Sequence, residues 1–146
     1  MDWAKIRDLQ IIIDATNNQA PVLQVPTQIC KIIGDSILFN VSATDPNAQD
    51  KITLSANGAP FIVSNSPATF ISGAPSNPIN GIFKWKTTCD HLLKNDYFVV
   101  FNAVDDFDSP PLTHQKTVSI KLLAPAPTNI NATLNIANKT VKLNWD

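Results

Sequence analysis

Residues 97–123 read YFVVFNAVDDFDSPPLTHQKTVSIKLL. In the first half Tyr97, Val99, Phe101 and Ala103 recur at every second position; in the second half Val118, Ile120 and Leu122 do the same. A period of two places alternate side chains on opposite faces of a strand, one face buried and one wet. Between the two runs stand Asp105, Asp106 and Asp108, then Pro110 and Pro111. In a chain with only 16% charged residues, three carboxylates in one turn need a reason. They hold a cation, act as catalytic acids, or accept hydrogen bonds from the turn that joins two strands.

The same period recurs outward from this stretch. In 36–43, Ile37, Phe39, Val41 and Ala43 share one face; in 81–87, Phe83 and Trp85 face one way and Lys84 and Lys86 the other. Residues 51–55 alternate again, 60–64 form a short apolar run, and 21–25 read as an edge strand flanked by prolines. Residues 65–80, rich in Ser, Pro, Gly and Asn, read as an irregular loop, and only 90–96 has room for a helical turn. About seven short strands separated by turn residues predict an all-β, antiparallel sandwich. The inward set is large enough for a core, at about 1.5–3 kcal/mol for each large side chain buried.

Composition narrows the function. The net charge of −1 gives no basic field for nucleic acid or an anionic membrane, and no apolar run reaches the length of a membrane span. Eleven prolines and many Asn, Thr and Ser suit an exported β-rich protein better than a cytosolic enzyme. The start, MDWAKIRD, lacks the apolar stretch of a secretory signal. Two cysteines, Cys30 and Cys89, allow one bridge.

The ends break the pattern. Residues 123–129, LAPAPTN, form a stiff, extended spacer, and beyond it Val141, Leu143 and Trp145 alternate as in the first hairpin of another β domain. Residues 6–13 read as a strand of something earlier, joined by the turn-rich DATNNQAP. The predicted organisation is therefore 1–20 as an end strand and joint, 21–123 as one sandwich, and 124–146 as a linker and opening hairpin. The competing arrangement folds both tails onto the central sandwich.

Several motifs carry a family resemblance. Ala43-Thr44-Asp45, Ala103-Val104-Asp105, Pro110-Pro111-Leu112 and the joint DATNNQAPVL resemble a cadherin-type, Ig-like repeat. FKWKTTCDHLLKNDYFVVFNAVDD is similar to cadherin-like repeats of long, gliding-motility-associated surface proteins of Bacteroidota, and APAPTNINATLNIANKTVKLNWD resembles the entry to a fibronectin-III-like domain. The resemblance implies calcium where one domain meets the next. Its ligand positions fall on Asp14, Asn17, Asn18, Asp45, Asn47 and Asp105. Two acidic positions of that family are absent, however: Ile29-Cys30 and Cys89-Asp90-His91 stand there. The resemblance therefore implies a Cys30–Cys89 disulfide in place of the ion, closing a loop of about 60 residues worth about 4 kcal/mol. It implies an oxidising compartment too. No cofactor is expected, with a weak calcium site at Asp14, Asn17, Asp45, Asn47 and Asp105 as the alternative.

Other chemistry is thin. Cys89 and His91 share a strand face by spacing but have no oxyanion hole or orienting group, and with His114 they match no zinc motif. Trp85 reads as a core residue. Phe98, Val100 and Leu38 read as an outward apolar patch, with coverage by a loop as the alternative. Asn40-Val41-Ser42, Asn131-Ala132-Thr133 and Asn138-Lys139-Thr140 match the N-glycosylation pattern, and Asp35-Ser36-Ile37 resembles a short O-glycosylation signal of Bacteroidota. The expectation is a non-enzymatic structural or adhesive module of a multidomain cell-surface protein, partnered by neighbouring β domains and by a surface glycan or protein. It involves neither nucleic acid nor membrane insertion. A strand-swapped dimer is open to it. The alternative is a carbohydrate- or protein-binding module that uses the 65–80 and 105–113 loops.

Overall fold

A computed structural model describes residues 16–144. The expected strand at 6–13 and the candidate ligand Asp14 lie outside the described residues. Ten strands are described: β1 (Val22–Gln24), β2 (Gln28–Ile32), β3 (Ser36–Thr44), β4 (Ile52–Gly58), β5 (Thr69–Ser72), β6 (Ile79–Lys86), β7 (Tyr97–Asp105), β8 (Thr113–Leu123), β9 (Asn131–Asn135) and β10 (Thr140–Asn144). Eight of them form two four-stranded sheets, β1-β3-β6-β5 and β2-β8-β7-β4. Apart from the added β2, this is the constant-type Ig-like order, with β1, β3, β6 and β5 on one sheet and β4, β7 and β8 on the other.

Alternation places the core as expected. Ile37, Val41 and Ala43 from β3, Phe83 and Trp85 from β6, Tyr97, Val99, Phe101 and Ala103 from β7, and Val118, Ile120 and Leu122 from β8 are all buried. Aromatic rings bridge the sheets: Phe83 meets Phe101 edge-on at 6.1 Å and Phe70 meets Phe101 at 5.3 Å, while Phe39 stacks on Phe83, its partner within the first sheet, at 4.9 Å. Such geometries add to the hydrophobic term because ring edges and faces carry opposite partial charge.

Three segments depart from the sequence expectation. Residues 60–64 are not a strand: Ala59–Phe61 make a 3-10 turn whose Phe61 packs edge-on against Phe83. β5 lies inside the stretch expected to be an irregular loop, where its Phe70 ring covers the bare backbone of Gly81. β2 was not expected; of its five residues only Ile29 is even half-buried. Val25-Pro26 turns the chain from the first sheet, where β1 pairs antiparallel with β3, to the second, where β2 runs parallel to β8.

After Leu123 no described residue is buried. β9 and β10 form an antiparallel hairpin in which Leu134 faces Val141 and Ala132 faces Leu143; the other face carries Asn131, Thr133, Asn135, Thr140, Lys142 and Asn144. Ile130, Leu134, Ile136, Val141 and Leu143 are between 53% and 80% exposed. The hairpin is thus strongly two-faced, with its apolar face bare.

A Cβ on Gly81 would lie 2.6 and 2.8 Å from two Phe70 ring atoms. Gly81→Ala is therefore expected to lower unfolding free energy by about 1–3 kcal/mol. Urea denaturation of the double variant with Phe70→Leu should show a smaller penalty; an equal one would mean that Phe70 is not the obstacle.

Candidate functional site

Conspicuous polar chemistry collects at the pole where β7 ends. Asp105 continues the inward alternation of β7 and is buried there. Its Oδ1 accepts the N–H of Phe107 (3.3 Å) and of Leu112 (2.9 Å), and its Oδ2 accepts Asn18 Nδ2 (3.0 Å). The same Asn18 nitrogen donates to the Pro110 carbonyl at 3.1 Å. Asp106 Oδ1 accepts the Lys51 N–H at 2.6 Å, while Asp108 is exposed. Two of the three aspartates therefore cap backbone donors around the turn.

The approaching segment is tied to the same pole. Asn47 Oδ1 accepts the Gln19 N–H (2.9 Å), and Asn47 Nδ2 donates to the Asn17 carbonyl (3.2 Å). Asn47 is itself set by its N–H on Asp45 Oδ1 (2.8 Å). Asn77 clasps Asp45, accepting its N–H and donating to its carbonyl, each at 3.0 Å. Residues 17–19 are thereby joined to loops that are distant in sequence. Asn77 and Asp50 were not singled out from the sequence; the Asn77-Pro78 dipeptide was the available turn signal for the first.

Not every acceptor at this pole is used. Asn18 Oδ1, Asp45 Oδ2 and Asp50 Oδ2 are buried without a hydrogen-bond partner. Burial, then the nearby carboxylates of Asp45, Asp105 and Asp106, raises the Asp50 carboxyl above its ordinary value. The structure does bring Asn17, Asn18, Asp45, Asn47 and Asp105 to one pole, but both Asp105 oxygens and the Asn17 carbonyl already accept hydrogen bonds. Among the described residues no group of three or more His, Cys, Asp or Glu is placed to hold a metal ion.

The expected disulfide is corrected. Cys30 and Cys89 are free thiols, and both are exposed. Ile29 is the β2 residue that packs against the core, so alternation turns Cys30 away from it. Cys89 opens the 3-10 turn Cys89–His91, whose buried member is His91. The patch of Leu38 with Phe98 and Val100 is corrected too. Leu38 faces out from β3 in one sheet, and Phe98 and Val100 face out from β7 in the other, on opposite sides of the sandwich.

The opposite pole is built around His91. Its Nδ1 accepts the Thr88 N–H at 3.0 Å, so the proton sits on Nε2, which donates to the Asn65 carbonyl at 2.6 Å. The Trp85 ring lies 5.0 Å from that of His91 and 4.9 Å from that of Tyr97. Trp85 Nε1 donates to the Ser66 carbonyl, and Tyr97 Oη to that of His91. A cavity of about 190 Å³ opens here, lined in part by Asn65, Asp90, His91 and Tyr97. The 65–80 stretch thus starts at this pole, with Asn65 and Ser66, and ends at the Asp105 pole, with Asn77; it is not a single loop beside 105–113.

Comparison with known proteins supports this architecture. No family model and no curated protein matches the chain. Among solved structures, the SrpA adhesin of Streptococcus sanguinis aligns over 91% of this chain and 94% of its own, at 15% identity and a TM-score of 0.51. The sialic acid binding region of a Streptococcus sanguinis SK1 adhesin, bound to 3'sLn, aligns over 89% of this chain and 45% of its own, at 13% identity and 0.51. A PapD-like domain of human CEP192 aligns over 86% and 100%, at 12% identity and 0.51. The chain shares its Ig-like sandwich with these proteins. The finer cadherin-type and gliding-motility-associated resemblance gains no support from them.

Asp105→Ala would leave the N–H groups of Phe107 and Leu112 without an acceptor and Asn18 Nδ2 with only the Pro110 carbonyl. At about 1–3 kcal/mol for each buried unmet group, the expected loss is about 3 kcal/mol or more. Asp106→Ala, which strands one exposed donor, should cost about 1 kcal/mol or less; equal losses would refute this ranking. Because the folded state raises the Asp50 pKa, its contribution to stability is full below the unfolded value and is lost as pH rises through the folded one. Asp50→Asn is therefore expected to raise the melting temperature at neutral pH and to have little effect at strongly acid pH. A lower melting temperature at neutral pH would contradict that sign.

Proposed function

We propose that the chain is a non-enzymatic structural and adhesive module of a multidomain, exported cell-surface protein, which spaces and stiffens a row of β domains. The observation that carries this reading is the stitching of residues 17–19 onto the Asp105 pole through Asn18, Asn47, Asp105 and the Pro110 carbonyl. A chain held at that many points leaves the domain in a fixed direction instead of swivelling. The bare apolar face of the β9–β10 hairpin supports the second half of the reading. Two strands alone are marginal, and this hairpin suits the opening of a following fibronectin-III-like domain, set apart by the Pro125 and Pro127 spacer.

The adhesive part draws on likeness of fold, since two of the structures that share the sandwich are bacterial adhesins and one of those binds 3'sLn. Fold alone is an analogy, because one sandwich serves many ligands.

Small-angle X-ray scattering on the chain with its upstream neighbour tests the reading. A single extended shape is expected, and Asn18→Ala with Asn47→Ala should shorten and broaden the distance distribution. An equally flexible joint before and after the substitutions would overturn the spacing role. Deleting 124–146 should leave the melting temperature within about 2 °C, as no described residue there is buried; a larger fall would mean that the hairpin belongs to the sandwich.

A further inference from the structure

The outer face of the β1-β3-β6-β5 sheet carries an arrangement that the fold does not need. The β3–β6 register sets Ser36 opposite Lys86 and Leu38 opposite Lys84. Their neighbours Ile37 and Trp85 are buried, so these four side chains stand outward at the corners of a square. Between them runs an open groove of about 330 Å³, floored by Ile37 and Trp85. That volume lies at the small end of ligand sites, about 300–1,000 Å³.

No carboxylate lines the groove. Lys86 Nζ donates to the Gly34 carbonyl, which fixes its ammonium at one end. The side chain of Lys84, two residues away on the same face, has no hydrogen bond or ion pair among the described residues. Two like charges on one strand face repel, and an anion between them relieves the repulsion. Leu38, 65% exposed, forms an apolar wall across from Lys84, and Ile82 and Ile71, paired on β6 and β5, continue it.

We propose that this groove binds an acidic saccharide residue, with its carboxylate or sulfate ester between Lys84 and Lys86 and its C–H face against Leu38. The proposal rests on the adhesive reading above and moves the contact away from the loops. β3 and β6 are hydrogen-bonded to each other along the groove, so its floor offers no open N–H or C=O ladder to an extended peptide. Side chains alone do the recognising, which suits a compact ligand. A bare inorganic anion would leave the Leu38 wall unused. The Ser36 hydroxyl completes the site as a donor or acceptor for a ring hydroxyl.

The test is an amide-resolved NMR titration of the full chain with sialyllactose, sulfated lactose and lactose. Either acidic sugar, and not lactose, should move the signals of Ser36–Leu38 and Lys84–Lys86, more weakly as salt is raised. Lys84→Gln should weaken binding about tenfold, and Leu38→Glu, which sets a carboxylate opposite Lys84, should abolish it. Both positions are exposed, so an unchanged melting temperature separates lost binding from lost folding. Undiminished binding by Lys84→Gln, or equal binding of lactose, overturns the groove and leaves an adhesive surface elsewhere. No response to any sugar overturns the groove and the saccharide arm of the adhesive reading, while the scattering result for the joint stands independently.

Discussion

Phe83 and Phe101 meet edge to face in the gap between the two sheets, each from a central strand of its own sheet. This contact sets the constraint from which the rest follows. For both rings to point into the gap, β6 and β7 must keep strict alternation along their lengths, and that places Trp85, Tyr97, Val99, Ala103 and Asp105 inward as well. Phe39, Phe61 and Phe70 then close around the pair. A slip of one residue in either strand would turn the whole inward set out to solvent.

The last inward position of β7 is a carboxylate, and this explains why one pole is polar. Alternation delivers Asp105 to a buried place where the strand ends and a turn begins. Burial of an ionised group demands partners, and the turn supplies two N–H groups while Asn18 supplies a third donor. The other pole solves the same problem with an imidazole, which is small enough to pack beside Trp85 and carries one donor and one acceptor for the backbone. The carboxylates of the opening stretch are thus mainly a device for ending a strand inside a core.

The inward faces of β3, β6, β7 and β8 were legible because alternation is a local signal, repeated over many residues. β2 and β5 were not. An edge strand with only Ile29 half-buried leaves no period to read, and four strand residues within a Ser-, Pro- and Gly-rich stretch look like loop. Alternation also tells inside from outside without telling one sheet from the other, which is why Leu38 was grouped with Phe98. The Asn18–Asp105 contact spans 87 positions, and its residue types were expected at this pole only through the family resemblance. That same resemblance led to pairing Cys30 with Cys89, where the residues themselves offered two exposed thiols.

The first strand of the second sheet has a mechanical consequence. β2 runs parallel to β8, from Gln28 beside Ser119 to Ile32 beside Leu123, so the second strand of the chain and the last strand of the sandwich lie side by side. Tension drawn between the two ends pulls β2 and β8 in opposite directions along their common axis. The hydrogen bonds of the pair are then strained together in shear, instead of parting one at a time as in an unzipped hairpin.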